Sequence, residues 1–312
     1  MPESTDLDRL CVHESVENVI PKEAFVAALE DGPLDVELIG DQEPITEMDA
    51  VATYVPHDEF LDAGWVHCIR AGYDEFDTER YRSTGVPLTN STGIHETTVS
   101  EVALGFMLSL ARNLHVYRDH QAANEWYEPD YHRPFTLENE RICVVGLGTI
   151  GRGIAKRADA LGMDVIGIRR STDPVPGVSK VFQPDDLNDA IADARFVALT
   201  VPHTPSTEHM IDESALAQMR DDAYLINVAR GPLVDEAALV DALERGEISG
   251  AGLDVFETEP LPEESPLWDF DEVMISPHKG SATNRYHVDI ANLVKENIDY
   301  YLADEDLRNR VA

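Results

Sequence analysis

A glycine-rich turn between a predicted strand and a predicted helix constrains this chain more than any other feature. The apolar run Arg141–Val145 leads directly into Gly146-Leu147-Gly148-Thr149-Ile150-Gly151, and the helix-compatible segment Arg152–Leu161 follows. In such a turn the first glycine allows a tight bend, the second lets the backbone approach a pyrophosphate, and the third lets helix pack on strand. The phosphates would lie on unpaired amides at the positive end of the helix dipole. With a second apolar run at Asp164–Ile168, this order predicts dinucleotide binding; a glycine turn without a ligand is the alternative.

The charge balance of the chain is unusual and restricts its partners. Its 312 residues include 60 acidic and 24 basic side chains, which gives a formal net charge of −36. Such a chain lacks the basic footprint of a nucleic-acid-binding protein, and anionic membrane surfaces would repel it. The acidic residues are spread along the whole sequence, a pattern that halophilic proteins use. We therefore expect a salt-adapted cytoplasmic protein, with an ordinary acidic enzyme as the alternative.

The cysteines and the N-terminal segment agree with that location. Cys11, Cys68 and Cys143 each lie in an apolar run and form no Cys-x-x-Cys motif, so we expect buried, reduced thiols. Met1–Arg9 is polar and acidic, without the apolar region of a signal peptide. No apolar run approaches the roughly 18 residues of a membrane helix, and no metal site is expected.

Short apolar runs alternate with helical segments along the chain, which indicates an α/β fold with parallel sheets. We expect an open, doubly wound sheet over residues 95–282, inserted between residues 1–94 and 283–312 of a smaller α/β domain. A nearly all-apolar pattern from His95 to about His120 predicts one long buried helix. Predicted strands are Leu10–His13, Val36–Ile39, Ala50–Tyr54, Val66–Arg70, Val165–Ile168, Phe196–Thr200, Tyr224–Val228, Gly252–Val255 and Val273–Ile275; predicted helices include Lys22–Glu30, Glu213–Arg220, Asp235–Glu244 and Asn284–Ala303.

Polar residues follow three successive strands of the larger predicted sheet. Arg230 comes after one strand, Glu259 after the next and His278 after the last. Ligands of open α/β sheets bind at the carboxyl ends of the strands, where these side chains would lie. Arginine offers a forked donor to a carboxylate, and histidine suits proton transfer near neutral pH. Singly, each could be a surface residue; together, beside a dinucleotide turn, they predict a catalytic site.

At these residues the chain resembles the D-isomer-specific 2-hydroxyacid dehydrogenase family, over most of its length. The motifs that carry the resemblance are Ala71-Gly72-Tyr73-Asp74, Ser100-Glu101, Gly146–Gly151, Val201-Pro202-His203-Thr204-Pro205-Ser206-Thr207, Asn227-Val228-Ala229-Arg230-Gly231, Gly252-Leu253-Asp254-Val255-Phe256 and Pro277-His278. The resemblance implies a Rossmann cofactor domain inserted in a flavodoxin-like substrate domain. It also implies that His95–Leu114 joins the domains and helps to form a homodimer.

The resemblance implies a role for each matching residue. His278 would be the acid/base, Glu259 its partner, and Arg230 the residue that binds the substrate carboxylate and carbonyl. The backbone of Ala71 and Gly72 would hold the other side of the carboxylate. Expected cofactor contacts are Gly146, Leu147, Gly148, Thr149, Ile150 and Gly151 at the pyrophosphate, Val201, Pro202 and Thr207 on the adenosine side, and Val228, Ala229, Arg230, Asp254, His278 and Gly280 around the nicotinamide.

The chain departs from the commonest family pattern after the strand Val165–Ile168. That pattern has an acidic residue on the adenosine ribose, whereas this chain has Arg169, Arg170 and Ser171. An acid would repel a 2′-phosphate and arginine accommodates it, so we expect NADP(H) as the preferred cofactor, with NAD(H) possible. A basic pair at a loop edge without a ligand is the alternative.

The expected reaction is NADPH-dependent reduction of a 2-oxoacid to a D-2-hydroxyacid, with the side chain of the substrate left open. A glyoxylate/hydroxypyruvate reductase is one alternative, and a non-catalytic dinucleotide-sensing protein of the same fold is another. Formate dehydrogenases fit less well, because their pattern places a neutral amide where this chain has Glu259. Phosphoglycerate dehydrogenases are also less expected, because many carry an added C-terminal regulatory domain.

Overall fold

The chain divides into two compact units. The computed structural model describes residues 7–131 and 133–312, so Met1–Asp6 of the polar N-terminal segment and His132 lie outside it. The first unit combines the residues up to Ile94 with Thr283–Ala312, and the second unit is His95–Ala282. Within the described ranges, no helix is both long enough and apolar enough to cross a membrane.

The first unit is built on a five-stranded parallel sheet with the order β2-β1-β3-β4-β5, which is the flavodoxin-like order. Its elements are β1 (Arg9–His13), α1 (Lys22–Leu29), β2 (Asp35–Ile39), β3 (Asp49–Thr53), β4 (Trp65–Cys68), α2 (Thr78–Thr84), β5 (Leu88–Asn90) and the C-terminal helix α9 (Tyr286–Leu302). Strand residues alternate between two cores, because successive side chains point to opposite faces. Leu10 and Val12 pack with Phe25 of α1 and Ile290 of α9, whereas Cys11 joins the core on the other face.

The second unit is built on a seven-stranded parallel sheet with the order β12-β11-β10-β9-β6-β7-β8. Its elements are α3 (Glu96–Ala111), α4 (Leu114–Ala122), β6 (Arg141–Val145), α5 (Thr149–Ala160), β7 (Asp164–Ile168), β8 (Lys180–Phe182), α6 (Leu187–Ile191), β9 (Phe196–Leu199), α7 (Glu213–Leu216), β10 (Tyr224–Asn227), α8 (Glu236–Arg245), β11 (Gly250–Leu253) and β12 (Val273–Ile275). The strand order reverses between β6 and β9, as in a doubly wound dinucleotide-binding sheet. The predicted fold class is confirmed.

Helices cover both faces of this second sheet. Ile142 and Val144 of β6 pack with Phe106 of α3 and Ile154 of α5, whereas neighbouring β6 residues join a core that contains residues of α6, α7 and α8. Strands buried on both faces read as continuous apolar runs, which is why Phe196–Leu199 shows no polar alternation. Since both faces are covered, we expect ligands at the carboxyl ends of the strands.

The prediction of one continuous helix from His95 to about His120 is wrong, because the helix is interrupted once. The helix ends at Ala111 and a second one begins at Leu114, because Asn113 adopts a left-handed backbone with φ 54°. Asparagine tolerates that conformation better than most residues. The apolar pattern continues across the break, so periodicity alone gives no sign of it.

The three cysteines are free and buried. Burial raises the pKa of the Cys11 and Cys143 thiols to about 12, since the interior disfavours the thiolate. Both thiols therefore stay protonated near neutral pH and pack as small apolar side chains.

Candidate functional site

The glycine turn after β6 is held by contacts that leave no space for a side chain at its first and third glycines. Gly146 has φ 100°, its amide donates to Ile168 O at 2.9 Å, and the Thr200 hydroxyl donates to Gly146 O at 2.6 Å. A Cβ at Gly146 would lie 2.8 Å from Val201 Cγ1, and one at Gly151 only 1.8 Å from Gly146 O. The first and third glycines of the motif are therefore required by the fold itself.

The middle glycine of the motif, Gly148, lies in a less crowded environment. A Cβ at Gly148 would meet no protein atom within 4 Å, and α5 begins at the next residue. As the N-cap residue, Gly148 has no side chain to accept from the first amides of α5, and the space beside it is open. An anion fits this cradle, because backbone donors and the helix dipole both favour it. The turn therefore fits the pyrophosphate of a dinucleotide.

These surroundings predict opposite results for two alanine substitutions. Gly148→Ala should leave the melting temperature nearly unchanged, because its Cβ enters open space and the backbone φ of −75° suits any residue. It should nevertheless weaken dinucleotide binding at least about tenfold, because the Cβ enters the space assigned to phosphate. Gly151→Ala should lower the melting temperature, since it collides with Gly146 O. Fluorescence titration with reduced dinucleotide and thermal unfolding measure the two effects; equal behaviour of both variants would contradict the assignment.

Arg169 and Arg170 follow β7 at the edge of the sheet predicted to hold adenosine. Arg169 Nε donates to Ser171 O at 2.6 Å, and its Nη2 lies 3.3 Å from Asp173 Oδ2. The hydroxyl of Ser171 donates to the same carboxylate, and Arg170 is exposed. The Arg169 guanidinium and the Ser171 hydroxyl therefore share the Asp173 carboxylate, which would compete with any bound phosphate.

The segment after β9 forms a compact turn on the other side of the glycine motif. The Thr207 hydroxyl donates to Pro202 O at 2.8 Å and accepts from the Thr204 amide at 2.8 Å. Val201 packs against Gly146, as its distance from a Cβ there shows. Of the residues expected to contact adenosine, Val201 therefore lies against the glycine turn. The hydroxyl of Thr207 is hydrogen-bonded within its own loop.

His278 and Glu259 are in direct contact at the carboxyl edge of the sheet. The Nδ1 atom of His278 lies 2.7 Å from Glu259 Oε2, and Glu259 Oε1 accepts from the Phe256 amide at 3.1 Å. A carboxylate accepts only, so the proton of the first bond resides on Nδ1. The two side chains are 49% and 35% exposed, which leaves the imidazole accessible to a small molecule. This arrangement can hold an imidazole in one tautomer and leave its other ring nitrogen available for proton exchange.

Asp254 organises the loop that presents His278. Its buried carboxylate accepts from the amides of Lys279 and Gly280 at 2.9 and 2.8 Å and from the hydroxyl of Ser276. Its carbonyl accepts from the His278 amide at 2.8 Å. These bonds hold His278 in a left-handed backbone conformation, with φ 51°. Asp254, predicted as a nicotinamide contact, is thus engaged through both carboxylate oxygens in shaping the histidine loop.

Arg230 is positioned by the end of β10. The Asn227 amide nitrogen donates to Arg230 O at 2.9 Å, and Asn227 Oδ1 accepts from the Ala229 amide at 3.1 Å. A Cβ at Gly231 would lie 1.9 Å from the carbonyl of Phe256, so the loops after β10 and β11 touch backbone to backbone. Arg230 and Glu259 are therefore carried by two loops that pack directly on each other, while Val228 and Ala229 are buried beside them.

Sequence reasoning missed a second histidine–glutamate pair, whose glutamate lies two residues before Glu259. His209 Nε2 lies 2.9 Å from Glu257 Oε1, and the amides of Glu236 and Glu257 each donate to the other residue's carboxylate at 3.2 and 3.4 Å. Burial raises the pKa of Glu236, since its carboxylate is partly removed from water. The signal in the sequence was weak, because His209 follows no predicted strand.

Ala71 and Gly72, the predicted substrate contacts, lie in the first unit. The Asn90 side chain donates to Ala71 O at 2.6 Å, and the Cys68 thiol lies 3.7 Å from Gly72 O. The loop after β4 is thus held by the neighbouring strand β5. The role of these two residues stays a prediction.

Comparison with known proteins gives a consistent set of similarities. Residues 104–280 match the profile of the D-isomer specific 2-hydroxyacid dehydrogenase, NAD binding domain. A glyoxylate/hydroxypyruvate reductase B of Yersinia pestis is 37% identical over 234 residues, which cover 74% of this chain and 72% of that protein. A D-3-phosphoglycerate dehydrogenase of Methanocaldococcus jannaschii is 36% identical over 244 residues, but the match spans only 46% of its length. A D-isomer specific 2-hydroxyacid dehydrogenase of Xanthobacter autotrophicus, solved in complex with NADPH and MES, superimposes with a TM-score of 0.80 at 31% identity, over 98% of both chains.

Proposed function

Because the chain belongs to the D-isomer-specific 2-hydroxyacid dehydrogenase family, we propose that it reduces 2-oxoacids to D-2-hydroxyacids, with NADPH as the preferred reductant. The observation that carries this proposal is the pair His278–Glu259, with Nδ1 2.7 Å from the carboxylate, in the unit that holds the dinucleotide turn. A histidine oriented in this way can exchange a proton through its other ring nitrogen.

His278, Glu259 and Arg230 would each have one role in this reaction. Reduced nicotinamide, when bound, supplies the hydride that C2 of the substrate accepts. His278, protonated, gives its Nε2 proton to the carbonyl oxygen as that oxygen gains charge, and Glu259 stabilises the imidazolium through Nδ1–H. Arg230 binds the carboxylate and the carbonyl oxygen, so developing negative charge meets a fixed positive group. In the reverse direction neutral His278 accepts the hydroxyl proton.

The test is a panel of 2-oxoacids assayed for oxidation of NADPH and NADH in high salt. Glyoxylate and hydroxypyruvate, pyruvate, and longer or branched 2-oxoacids make up the panel, and chiral analysis of the product checks the D configuration. Absence of turnover with every member, in a protein that binds dinucleotide, would instead support a dinucleotide-sensing role.

A glyoxylate/hydroxypyruvate reductase is the second candidate. The observation in its favour is the 37% identity to the Yersinia pestis protein of that name. Ratios of kcat/KM within the same panel separate the two: a preference of at least about tenfold for glyoxylate and hydroxypyruvate over pyruvate and larger 2-oxoacids would favour the second candidate.

The cofactor preference provides a prediction of its own. Arg169→Asp should turn the preference towards NADH, lowering the ratio of kcat/KM for NADPH over NADH by at least about tenfold, because attraction to the 2′-phosphate becomes repulsion. Asp173→Asn should change the ratio in the opposite direction, since it removes the carboxylate 3.3 Å from Arg169 Nη2. Both ratios are measured at one fixed salt concentration. A wild-type protein that already prefers NADH would refute the assignment of this arginine pair.

We also propose that the chain works as a homodimer in a salt-rich cytoplasm. Leu114, Trp126 and Tyr131 of the second unit are 50%, 93% and 91% exposed, and large apolar side chains at such exposure are suited to contact a second copy. The net charge of −36 supports the salt-rich setting. Sedimentation in molar KCl measures the oligomeric state.

A further inference from the structure

Two histidines and an aspartate of the first unit converge at the carboxyl edge of its sheet. His13 ends β1, Asp41 follows β2, and His57 follows β3; these are three neighbouring strands in the order β2-β1-β3. One ring nitrogen from each histidine and one carboxylate oxygen all lie within 4.8 Å of one another. The strand order of this sheet reverses between β1 and β3, and open α/β sheets bind ligands at that point.

Two distances within this cluster are close to those between the ligands of a tetrahedral metal ion. Asp41 Oδ1 lies 3.0 Å from His13 Nε2 and 3.6 Å from His57 Nε2. Donors about 2.1 Å from a tetrahedral zinc ion are separated from one another by roughly 3.4 Å. Both carboxylate–imidazole distances are close to this value, and the two histidine nitrogens lie within 4.8 Å of each other, so the three donors are near enough to surround one ion after local adjustment.

The Nε2 atom of His57 has no hydrogen-bond partner within the described part of the chain. It is buried, and no described residue lies within hydrogen-bonding distance and geometry of it. A buried polar atom without a partner is unusual in a native fold. A metal ion at the centre of the cluster would satisfy this nitrogen.

The surroundings of His13 and His57 hold both rings in place. Phe60 packs against both imidazoles, with ring centroids 5.3 Å from His13 and 5.0 Å from His57. His13 Nδ1 lies 2.8 Å from Ser15 Oγ, and that oxygen also accepts from the Tyr54 amide. His13 Nδ1 also accepts from the Ser15 amide at 3.3 Å. Metal binding through Nε2 therefore requires the proton to lie on Nδ1, where Ser15 Oγ can accept it, and the bond from the Ser15 amide to be given up.

We propose that His13, Asp41 and His57 form a binding site for a divalent transition metal ion of the zinc type. Two imidazole nitrogens and one carboxylate oxygen suit zinc, cobalt or nickel, whereas magnesium and calcium prefer sites made only of oxygen. Three protein ligands leave a fourth position for water or an anion. The bound ion would connect the end of β1 to the loops that follow β2 and β3.

The experiment uses the whole chain, freed of metal by a chelator and kept in about 2 M KCl so that the acidic surface is screened. Zinc is titrated calorimetrically, and cobalt is followed by its visible absorption, which reports tetrahedral coordination. We expect one ion per chain, a raised melting temperature with zinc, and binding weakened at least about tenfold in Asp41→Asn and in His57→Gln. Asp41 is exposed and His57 half-buried, so both variants should fold; circular dichroism checks this, and comparison of the two keeps the test valid if one fails.

The matched control is His120→Gln, which breaks an exposed histidine–glutamate pair with Nδ1 2.7 Å from Glu125 Oε2. It should bind zinc and cobalt as the wild type does. Failure of the wild type to bind either ion stoichiometrically would overturn the proposal. Equal affinity of the wild type and both ligand variants, or an equal loss in His120→Gln, would also overturn it.

Discussion

Replacement of His278 by alanine is expected to lower kcat for 2-oxoacid reduction by about 10²–10⁴-fold, the usual contribution of a positioned acid/base. The variant should bind reduced dinucleotide nearly as well as the wild type, because the glycine turn after β6 is unchanged. Glu259→Gln should lower kcat by less, since the amide oxygen still accepts from Nδ1 while the charge facing the imidazolium is lost. Steady-state kinetics and fluorescence titration of the cofactor give the two quantities.

His209 offers a matched control for this experiment. Its side chain is 44% exposed against 49% for His278, it contacts a glutamate at 2.9 Å against 2.7 Å, and its φ of 47° is close to the 51° of His278. Alanine therefore imposes a similar backbone strain at both positions, and only the chemistry differs. We expect His209→Ala to retain kcat within about threefold, a change of less than 1 kcal/mol in the barrier. Near wild-type turnover in His278→Ala would remove that histidine from the mechanism.

Salt is expected to change the stability of the fold substantially. The net charge of −36 produces repulsion whose range falls from about 10 Å at 0.1 M to about 3 Å at 1 M salt. We expect the melting temperature to rise by on the order of 10 °C between about 0.1 M and 2 M KCl, which corresponds to a few kcal/mol in a chain of this size. Activity should be lost on dialysis to low salt. An unchanged melting temperature over this range would contradict the hypothesis of salt adaptation.

The end of α9 offers a variant that separates screening from other effects of salt. Asp304, Glu305 and Asp306 are exposed and follow the helix directly, where negative charge opposes the negative end of its dipole. The triple variant Asp304→Asn, Glu305→Gln, Asp306→Asn should be more stable than the wild type at low salt and should show a weaker salt dependence. An equal dependence in both proteins would attribute the effect to exclusion of salt from the surface instead.

The sequence was most informative where local pattern and fold demand the same residues. The predicted strands Arg141–Val145 and Asp164–Ile168 coincide with β6 and β7, because both are short apolar runs bounded by turn residues. Helix α5 begins at Thr149 rather than Arg152, since its first turn lies inside the glycine motif. The short strands β5 and β8 were not predicted, because three residues carry too little periodicity to be recognised.

The candidate site shows the same division between local and non-local information. The ligand-facing positions of Glu259 and His278 could be predicted, because residues after parallel strands meet at one edge of a sheet. The part of Asp254 in shaping the histidine loop could not, since its partners Lys279 and Gly280 lie 25 and 26 residues further along the chain. The cluster of His13, Asp41 and His57 combines the last residue of β1 with the loops after β2 and β3, and no spacing in the sequence indicates it.

The left-handed backbone at His278 has a consequence for the evolution and design of this chain. Glycine adopts φ 51° without strain, whereas a residue with a Cβ loses roughly 1–2 kcal/mol there. Selection for stability alone would therefore favour glycine in place of the proposed acid/base, His278. The resulting protein would be more stable but inactive. Asp254 holds this conformation by accepting from both amides that follow His278, and it would do so equally with glycine at position 278. Position 278 is thus a point where stability and activity favour different residues, and a design procedure that ranks sequences by folding energy should hold it fixed.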